Sequence, residues 1–402
     1  MSSKPDLIPD GSITSAIGFS AGTVAAGIKK AASALDLAVI MSAKPCSAAA
    51  VFTQNRFKAA PVLVSLKHLG NTRSVQAIIV NAGCANAGTG EAGLENAQAM
   101  TEMAGARLGI ESSNVLVAST GVIGVQLPIE KVTAGIKNIK LSADSGHDFS
   151  RAIMTTDTMP KEFAVRSPDY GFTIGGCAKG AGMIHPNLAT LLGFITTDVD
   201  IESDLLQRLL KRAVNKSFNV ISVDGDTSTN DSIFVLANGA SGWKILPGTA
   251  AFRAFSEALE CVCVHLAKSV ARDGEGATKL IELKVTGAAT SSDARKVART
   301  VLSSPLVKTA VHGADPNWGR IVAAAGRSGA RFDLDKVDLW IGNVEVLKRG
   351  MPLEVDRKLA SAQFEGKEVF IHLDLGLGKP SVTGWGCDMS AEYIHINADY
   401  TT

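Results

Sequence analysis

The sequence predicts an α/β protein of layered helices and sheets, with a smaller unit at its C-terminal end. Short apolar or β-branched runs of strand length alternate with longer segments in which apolar residues recur at helical spacing. Beyond residue 280, a further series of strands and a helix is long enough to bury a small core of its own. The pattern does not give the order of the strands within the sheets.

The first half of the chain provides elements of the larger unit. Apolar and β-branched runs predict four strands, at 37–41, 49–52, 75–80 and 115–118. The segment 93–108, between the last two, is predicted to be a helix.

The second half continues the alternation with a buried strand predicted at 191–199. Two helices follow, the second ending before Arg272, and each has an apolar face: Leu205, Leu206, Leu209, Leu210 and Ala213 in the first, and Phe252, Phe255, Leu259, Val262 and Leu266 in the second. Later elements are predicted at 281–285, 291–302, 337–341 and 369–373. We therefore predict a main domain over 1–280 and a smaller domain over 281–402.

The composition is that of an ordinary globular protein without a charged binding surface. Of the 402 residues, 46% are hydrophobic and 20% are charged, and the formal net charge is +1. No basic run or stacked aromatic row indicates nucleic acid or an anionic membrane as a partner. We find neither a secretory signal pattern nor an apolar run of about 18 residues, so we expect a cytoplasmic protein.

The cysteines do not form a metal-binding pattern. None of the six (Cys46, Cys84, Cys177, Cys261, Cys263 and Cys387) belongs to a CxxC pair, and Cys261-Val-Cys263 fits no usual zinc spacing. We therefore expect buried, reduced thiols and no metal.

The segment 179–194, KGAGMIHPNLATLLGF, contains a bond that can cleave itself. The Thr190 hydroxyl can attack the carbonyl of Ala189 through a five-membered ring, and the resulting ester can be hydrolysed. Thr190 would then be a new N-terminus whose α-amino group, with a pKa of about 7.7–8.0, can act as the base for its own hydroxyl. The alternative interpretation of Ala189–Thr190 is the ordinary start of an apolar strand.

Several polar residues in the remaining sequence are candidates for a site. Thr120-Gly121 is predicted on a turn that ends a strand, where a hydroxyl and a backbone N–H could stabilise an oxyanion. Thr156, in the string TTDT, could equally belong to a polar helix cap. Lys179 could be a surface side chain or the cation that anchors a substrate carboxylate. Glu275 lies between two glycines, where either a close ligand or a solvated turn is possible.

Other polar residues indicate structure more than chemistry. Asp224 and Asp226 lack the twelve-residue EF-hand pattern, so we interpret them as a turn. His185, His312 and His395 fit no Ser-His-Asp or metal arrangement, and the role of His185, beside the cleavage point, is left open.

The glycine-rich segment from Gly88 to Gly93 suggests a different class of function. GTGEAG fits GxGxxG between a strand and a helix, as in a dinucleotide-binding oxidoreductase. However, the predicted strand ends at Val80, whereas the fingerprint needs its first glycine in the turn that ends the strand. A glycine-rich loop without a ligand is the simpler interpretation.

Nine blocks along the chain resemble the glutamate N-acetyltransferase / ornithine acetyltransferase family of arginine biosynthesis. In chain order they are FTQNRFKAAPV (52–62), NAGCANAGTGEAG (81–93), ASTGVIG (118–124), MTTDTMPK (154–161), the segment 179–194, VDGDTSTND (223–231), RDGEGATK (272–279), HGADPNWGRI (312–321) and INADYTT (396–402). The resemblance implies a main domain with two sheets between helix layers (αββα-like) and a smaller C-terminal α/β domain.

The resemblance also implies a reaction and an assembly. Cleavage between Ala189 and Thr190 would give an α chain of residues 1–189 and a β chain from Thr190, which remain together as an α2β2 heterotetramer. Thr190 would take the acetyl group from N-acetylornithine and pass it to glutamate. No cofactor is implied, and acetyl-CoA would be a second acetyl donor if this member is bifunctional.

The family's site residues map onto this chain one by one. The resemblance implies that Thr120 and Gly121 form the oxyanion hole. It assigns substrate binding to six residues: Thr156, Lys179, Thr190, Glu275, Asn397 and Thr402. The alternation of Ile394 and Ile396 with polar neighbours predicts a half-buried strand that ties the tail to the site.

Two other functions remain open from the sequence. The same Thr190 chemistry with water as acceptor would give an amidohydrolase or aminopeptidase. The oxidoreductase that the Gly88–Gly93 segment suggests would keep the chain uncut.

Overall fold

The computed structural model describes residues 4–31, 33–72, 74–185 and 191–399. Its strands are β1 (Asp6–Leu7), β2 (Phe19–Val24), β3 (Leu37–Phe52), β4 (Val75–Cys84), β5 (Val115–Val122), β6 (Lys161–Arg166), β7 (Thr173–Lys179), β8 (Leu192–Thr197), β9 (Ile221–Ser222), β10 (Ser232–Ala237), β11 (Leu280–Thr286), β12 (Asp338–Ile341), β13 (Val344–Lys348), β14 (Met351–Pro352), β15 (Glu368–Asp374) and β16 (Val382–Cys387). Its α-helices are α1 (Ala60–Asn71), α2 (Gly90–Leu108), α3 (Ile129–Asn138), α4 (Gly146–Ala152), α5 (Ser203–Asn215), α6 (Ala250–Arg272), α7 (Ser291–Leu302), α8 (Pro305–His312), α9 (Trp318–Gly326), α10 (Arg357–Ala362) and α11 (Ala391–Asp399).

Strand β3 joins the two halves of the larger sheet. Its first half pairs with β2 and β4, and its second half pairs with β10. The order along the sheet is β1-β6-β7-β8-β10-β3-β4-β5, with β2 attached to β3. The sequence predicted two strands here, and that prediction is wrong, because the polar stretch through Pro45 does not end the strand. This polar stretch lies where the pairing register between β3 and β4 becomes irregular, between Met41 and Cys46.

The two half-sheets enclose a core and carry helices on their outer faces. Ile40 on β3 and Ile78 on β4 share this inner core with Phe194 on β8 and Phe234 on β10. The next residue of β8, Ile195, packs instead in the core that includes α5 and α6, because successive side chains of a strand point to opposite faces. The outer core of β3, β4 and β5 includes side chains of α1, α2 and α3. The arrangement is αββα, as the resemblance implied.

The second sheet is smaller and has its own core. Its order is β14-β13-β12-β15-β11-β16-β9, in which only β9 comes from before residue 280. Buried side chains of β11, β12 and β15 pack with those of α7 and α9. The mixed α/β fold class is confirmed, while the division at residue 280 stays a prediction.

The C-terminal tail differs from the prediction. Residues 391–399 form helix α11 rather than a half-buried strand, and the Ile394 side chain is 66% exposed. Two isoleucines two residues apart also fit one turn of a partly exposed helix, so this short alternation could not distinguish the two structures.

The cysteines and the helices were compared with what disulfide-bonded and membrane-spanning proteins require. All six cysteines are free, and all but Cys261 are buried. Across the described ranges, no helix combines the length and the apolar character that crossing a membrane requires.

Candidate active site

Six residues that the sequence singled out line one cavity of about 150 Å³: Thr120, Gly121, Thr156, Lys179, Glu275 and Asn397. They come from β5, the loop before β6, the end of β7, the loop after α6, and α11. Leu191 and Leu192, which follow the predicted cleavage point, line the same cavity. The predicted residues Ala189, Thr190 and Thr402 lie outside the described residues.

The register of the strands determines which residues flank the start of β8, just after the predicted cleavage point. In the antiparallel pair β7 and β8, Lys179 lies opposite Leu192. In the parallel pair β8 and β10, Ser232 lies opposite Leu192, and the Ser232 N–H donates to the Leu191 carbonyl over 2.9 Å. The start of β8 therefore lies between the end of β7, which carries Lys179, and the start of β10.

Thr120 and Gly121 are held at an irregularity of the β4–β5 ladder. The predicted turn is wrong, because β5 continues to Val122 and the irregularity lies opposite, at Gly83 and Cys84. Gly121 has a φ of +130°, and a Cβ atom there would lie 2.3 Å from the backbone carbon of Gly83. Only glycine permits this conformation and approach.

Lys179 is a buried lysine that lines the cavity. Its side chain is one-tenth exposed, which excludes the surface alternative. Its ammonium group donates to the Thr155 hydroxyl over 2.7 Å and to that of Thr120 over 3.4 Å. Burial lowers the pKa of Lys179, and the nearby carboxylate of Asp157 opposes this shift. Because the Thr120 oxygen accepts from Lys179, its own proton can point elsewhere in the cavity.

Glu275 faces Lys179 from the loop after α6. Its backbone N–H donates to the Ala181 carbonyl over 2.9 Å, and the Asn397 side-chain amide donates to its carboxylate, also over 2.9 Å. A Cβ atom on Gly182 would come within 2.4 Å of that carboxylate, so the close approach requires glycine there. The structure thereby brings the tail residue Asn397 to the cavity through helix α11.

A buried network of charges lies behind the cavity and connects three of its walls. The Lys161 ammonium donates to Asp157 and to Asp273, each over 2.6 Å, and its side chain has no exposed surface. Asp157 also accepts from the backbone N–H groups of Thr155 and Gly180. Burial alone would raise the pKa of Asp157, but Lys179 and Lys161 hold it well below its usual range.

The segment before the predicted cleavage point is also held by a carboxylate. Asp224 accepts from the backbone N–H groups of Met183, over 2.5 Å, and Ile184, over 2.9 Å. Its interpretation as a structural residue is compatible with these bonds. Within the described ranges, no three His, Cys, Asp or Glu side chains come together as a metal-binding group.

Among the residues that the structure describes, the histidines form no Ser-His-Asp triad. The His185 Nδ1 atom lies 3.0 Å from the Ser222 hydroxyl, and burial lowers the pKa of His185 to about 4, so the ring is neutral at pH 7. His312 contacts Asp388 at 2.7 Å, and Asp388 also accepts from the backbone of Thr278. The second contact ties residue 388 to the loop that leads from Glu275 into β11.

The Gly88–Gly93 segment does not have the geometry of a dinucleotide fingerprint. Strand β4 ends at Cys84, so Gly88 is not in the turn that ends the strand. The Thr89 hydroxyl donates to Asn86, whose amide donates to the Gly93 carbonyl. These bonds close the loop on itself.

Sequence reasoning did not identify the supporting charges of the site. Asp157, Lys161, Asp273 and the cavity-lining Asp231 were given no role. All four lie within the sequence blocks quoted above, and this position was the one feature of the sequence that could have pointed to them. From the sequence, nothing distinguished them from solvated turn residues.

Comparison with known proteins identifies the family. A model described as the ArgJ family matches residues 20–402. The chain belongs to the ArgJ family. The resemblance drawn from the nine sequence blocks is confirmed.

Individual relatives match over their whole length. The chain is 55% identical over 406 aligned positions, with 100% of both chains covered, to the arginine biosynthesis bifunctional protein ArgJ of Dehalococcoides mccartyi. It is 50% identical, covering 98% of this chain and 99% of the relative, to the protein of the same name from Symbiobacterium thermophilum. A crystal structure of that protein from Bacillus halodurans has 44% identity and a TM-score of 0.51, covering 52% of this chain and 100% of its own.

We predict that Lys161→Met destabilises the protein by about 3–5 kcal/mol, because it leaves the Asp157 and Asp273 carboxylates buried without their shared cation. The measurement is the free energy of unfolding from denaturant titration. Lys216→Met is the matched control, since it breaks a half-exposed ion pair with Glu260 and should cost about 0–1 kcal/mol. Equal effects of the two substitutions would contradict a structural role for the buried network.

Proposed function

We propose that this chain is a self-cleaving acetyltransferase that moves the acetyl group of N-acetylornithine to glutamate through Thr190, as the family resemblance implied. The observation that best supports this function is that the predicted site residues lie close together in space. Predicted site residues from five separate parts of the chain line one cavity, and Leu191, the residue that follows Thr190 in the sequence, lines the same cavity. The relatives' names place them in arginine biosynthesis.

The cavity has groups of both charges for amino-acid substrates. The Lys179 ammonium can pair with a substrate carboxylate, and the Glu275 carboxylate can pair with a substrate amine. The Asn397 amide orients Glu275 through their hydrogen bond. Thr156 adds a hydroxyl to the cavity wall. Ornithine derivatives and glutamate both carry a carboxylate beside a nitrogen, which suits this pairing.

The first half-reaction transfers the acetyl group to the enzyme. The Thr190 hydroxyl adds to the acetyl carbonyl, its proton passes to the α-amino group of the same residue, and the carbonyl oxygen becomes negative. The Thr120 hydroxyl and the Gly121 N–H are the donors we assign to that oxygen. The C–N bond then breaks, the leaving nitrogen takes the proton, and ornithine departs.

The second half-reaction reverses these steps with a different amine. The neutral amino group of glutamate adds to the acetyl ester, the Thr190 oxygen leaves and regains its proton, and N-acetylglutamate departs. The acetyl donor, N-acetylornithine, and the acetyl acceptor, glutamate, would therefore bind in turn to the same charged side chains, Lys179 and Glu275. Since relatives of this chain are named bifunctional, we also propose acetyl-CoA as a second donor, with no other cofactor.

The proposal includes an assembly of the two cleavage products. The α chain of residues 1–189 and the β chain from Thr190 would remain together as an α2β2 heterotetramer in the cytoplasm. Support for two chains comes from the crystal structure of the Bacillus halodurans relative, whose whole chain corresponds to 52% of this one. Residues 190–402 likewise make up about half of the sequence.

Cleavage at Thr190 is tested by mass spectrometry of the intact protein. The wild type should give two chains of roughly 20 and 22 kDa, taking the 41.8 kDa mass as proportional to length. Thr190→Ala should give one uncut, inactive chain. Thr190→Ser should still be cut and keep some activity, since a hydroxyl and a freed amine suffice. An uncut wild type with full transferase activity would refute the proposal.

The choice of acceptor is tested in the same preparation. With N-acetylornithine and glutamate present, we expect ornithine and N-acetylglutamate in equal amounts. Free acetate in place of N-acetylglutamate would instead indicate an amidohydrolase.

Gly121→Ala should lower kcat for acetyl transfer by about 10²-fold or more, because the added Cβ atom would push the backbone away from Gly83 and move an oxyanion donor. Gly124→Ala is the control, since Gly124 also has a positive φ, of +80°, but a Cβ atom there meets nothing within 4 Å. If both variants kept wild-type kcat in steady-state assays, the oxyanion assignment would be wrong.

A further inference from the structure

The side chain of Asn230 supports both ends of the stretch that carries the assigned oxyanion donors, Thr120 and Gly121. Asn230 is 7% exposed and lines the cavity. Its side-chain NH2 group donates to the carbonyl of Ser119 over 2.9 Å and to the carbonyl of Ala85 over 2.6 Å. An asparagine side chain has two amide hydrogens, so both are committed to the backbone and neither is left for a substrate.

The bond to Ser119 fixes the start of this stretch. The carbonyl of Ser119 and the N–H of Thr120 belong to one planar peptide group. A donor that holds this carbonyl therefore fixes the plane from which the Thr120 Cα atom extends. The next peptide group along the chain carries the Gly121 N–H.

The bond to Ala85 supports the other end of the stretch. The Ala85 N–H donates to the carbonyl of Val122 over 2.9 Å, and the Ala85 carbonyl accepts from Asn230. Val122 directly follows Gly121 in the sequence. The amide of Asn230 thus constrains the residues on both sides of Thr120 and Gly121.

This support matters because the β4–β5 ladder is irregular at the same place. Cys84 pairs with both Thr120 and Val122, so the regular register of the two strands is interrupted. On the other side of the irregularity, the Asn81 amide donates to the Cys84 carbonyl over 2.8 Å, and its oxygen accepts from the Ser119 hydroxyl over 2.6 Å. Buried side-chain amides therefore supplement the ladder at this point of the sheet.

Asn230 is itself held in one orientation. Carbonyl oxygens can only accept, so its NH2 group must face them, and its side-chain oxygen accepts from the Thr229 hydroxyl over 2.6 Å. Its backbone N–H donates to the Ser228 hydroxyl over 3.1 Å. The carbonyl of the next residue, Asp231, accepts from the Thr53 N–H over 2.9 Å. The side chain of Asn230 is therefore a fixed support.

We propose that Asn230 is a positioning residue that holds Thr120 and Gly121 in the geometry in which they donate to the oxyanion of acetyl transfer. This inference rests on the proposed function. A group misplaced by about 1 Å can cost about 10²-fold in rate, so a small relaxation of this stretch would be measurable.

The groups assigned to substrate binding depend on other contacts. Lys179 is held by its bond to Thr155, and Glu275 is held by its bond to Asn397. Loss of the Asn230 side chain should therefore weaken stabilisation of the transition state more than it weakens substrate binding.

The test is the substitution Asn230→Ala, with Asn238→Ala as the matched control. Asn238 is also a buried asparagine, 8% exposed, and its amide donates to the Ile17 carbonyl over 2.8 Å. It directly follows β10, whereas Asn230 precedes that strand. Each substitution leaves a buried carbonyl without its side-chain donor, so both should lower the free energy of unfolding.

Steady-state kinetics of acetyl transfer should separate the two variants. In Asn230→Ala, kcat should fall by about 10–10²-fold while KM for N-acetylornithine stays close to that of the wild type. Asn238→Ala should keep the kcat of the wild type.

A double-mutant cycle with Thr120→Ala shows whether Asn230 acts through the oxyanion donors. Thr120→Ala alone should lower kcat by about 10²–10³-fold, the loss expected for one donor. Without that hydroxyl, Asn230 has less to position, so Asn230→Ala should lower kcat by a smaller factor in the Thr120→Ala enzyme than in the wild type. Independent structural damage would instead multiply the two factors, and that result would contradict the inference.

Other results would also overturn it. One is a folded, cleaved Asn230→Ala with the kcat of the wild type, and another is an equal fall in kcat in Asn238→Ala. A raised KM with an unchanged kcat would make Asn230 a substrate ligand instead. Folded but uncut Asn230→Ala would assign the residue to cleavage rather than to acetyl transfer.

If Asn230→Ala does not fold, Asn230→Asp takes its place with the same expectations, because it keeps the shape of the side chain while its carboxylate cannot donate to the two carbonyls. Failure of both variants to fold would leave Asn230 a structural role only. The proposed function itself fails on a different observation, a wild-type enzyme that transfers no acetyl group from N-acetylornithine to glutamate.

Discussion

The buried ammonium group of Lys161 connects the parts of the chain that form the cavity. It joins Asp157, in the loop that carries Thr156, to Asp273, two residues before Glu275. Asp157 also binds the backbone at Gly180, at the end of the strand that carries Lys179. Buried charges are costly unless their partners stay in place, so these three walls are constrained to one arrangement. The positions of the side chains that would meet a substrate follow from that constraint.

The same arrangement determines the chemistry that the cavity can support. Lys179 cannot leave its carboxylate and hydroxyl partners without exposing a buried charge, so it remains a fixed cation beside the start of β8. Glu275 and Asp231 balance it from the other walls. A site with both charges suits substrates that carry both a carboxylate and an amine. It also suits a nucleophile whose base is an amine, since the pKa of an amine responds to the charges around it.

The sequence predicted the elements whose apolar residues recur with a strong periodicity. It did not predict features that depend on contacts between residues distant in sequence. Helix α5 was predictable because Leu205, Leu206, Leu209 and Leu210 form one apolar face, and all four are buried. The continuity of β3 through Pro45 was not predictable, since proline and polar residues usually end a strand. The nine blocks supplied every predicted cavity residue. They did not reveal Lys161 as a buried ion, because burial of a lysine depends on partners that are distant in sequence.

The proposed reaction passes through one covalent intermediate, the acetyl ester of Thr190. The direct measurement is intact mass spectrometry of the enzyme after incubation with N-acetylornithine alone, followed by peptide mapping. We predict that the chain beginning at Thr190 gains one acetyl group, located on that residue. Adding glutamate should remove this group and yield N-acetylglutamate. Acetyl transfer at the normal rate with no acetylated chain, or with the acetyl group on another residue, would contradict the role of Thr190 as the nucleophile.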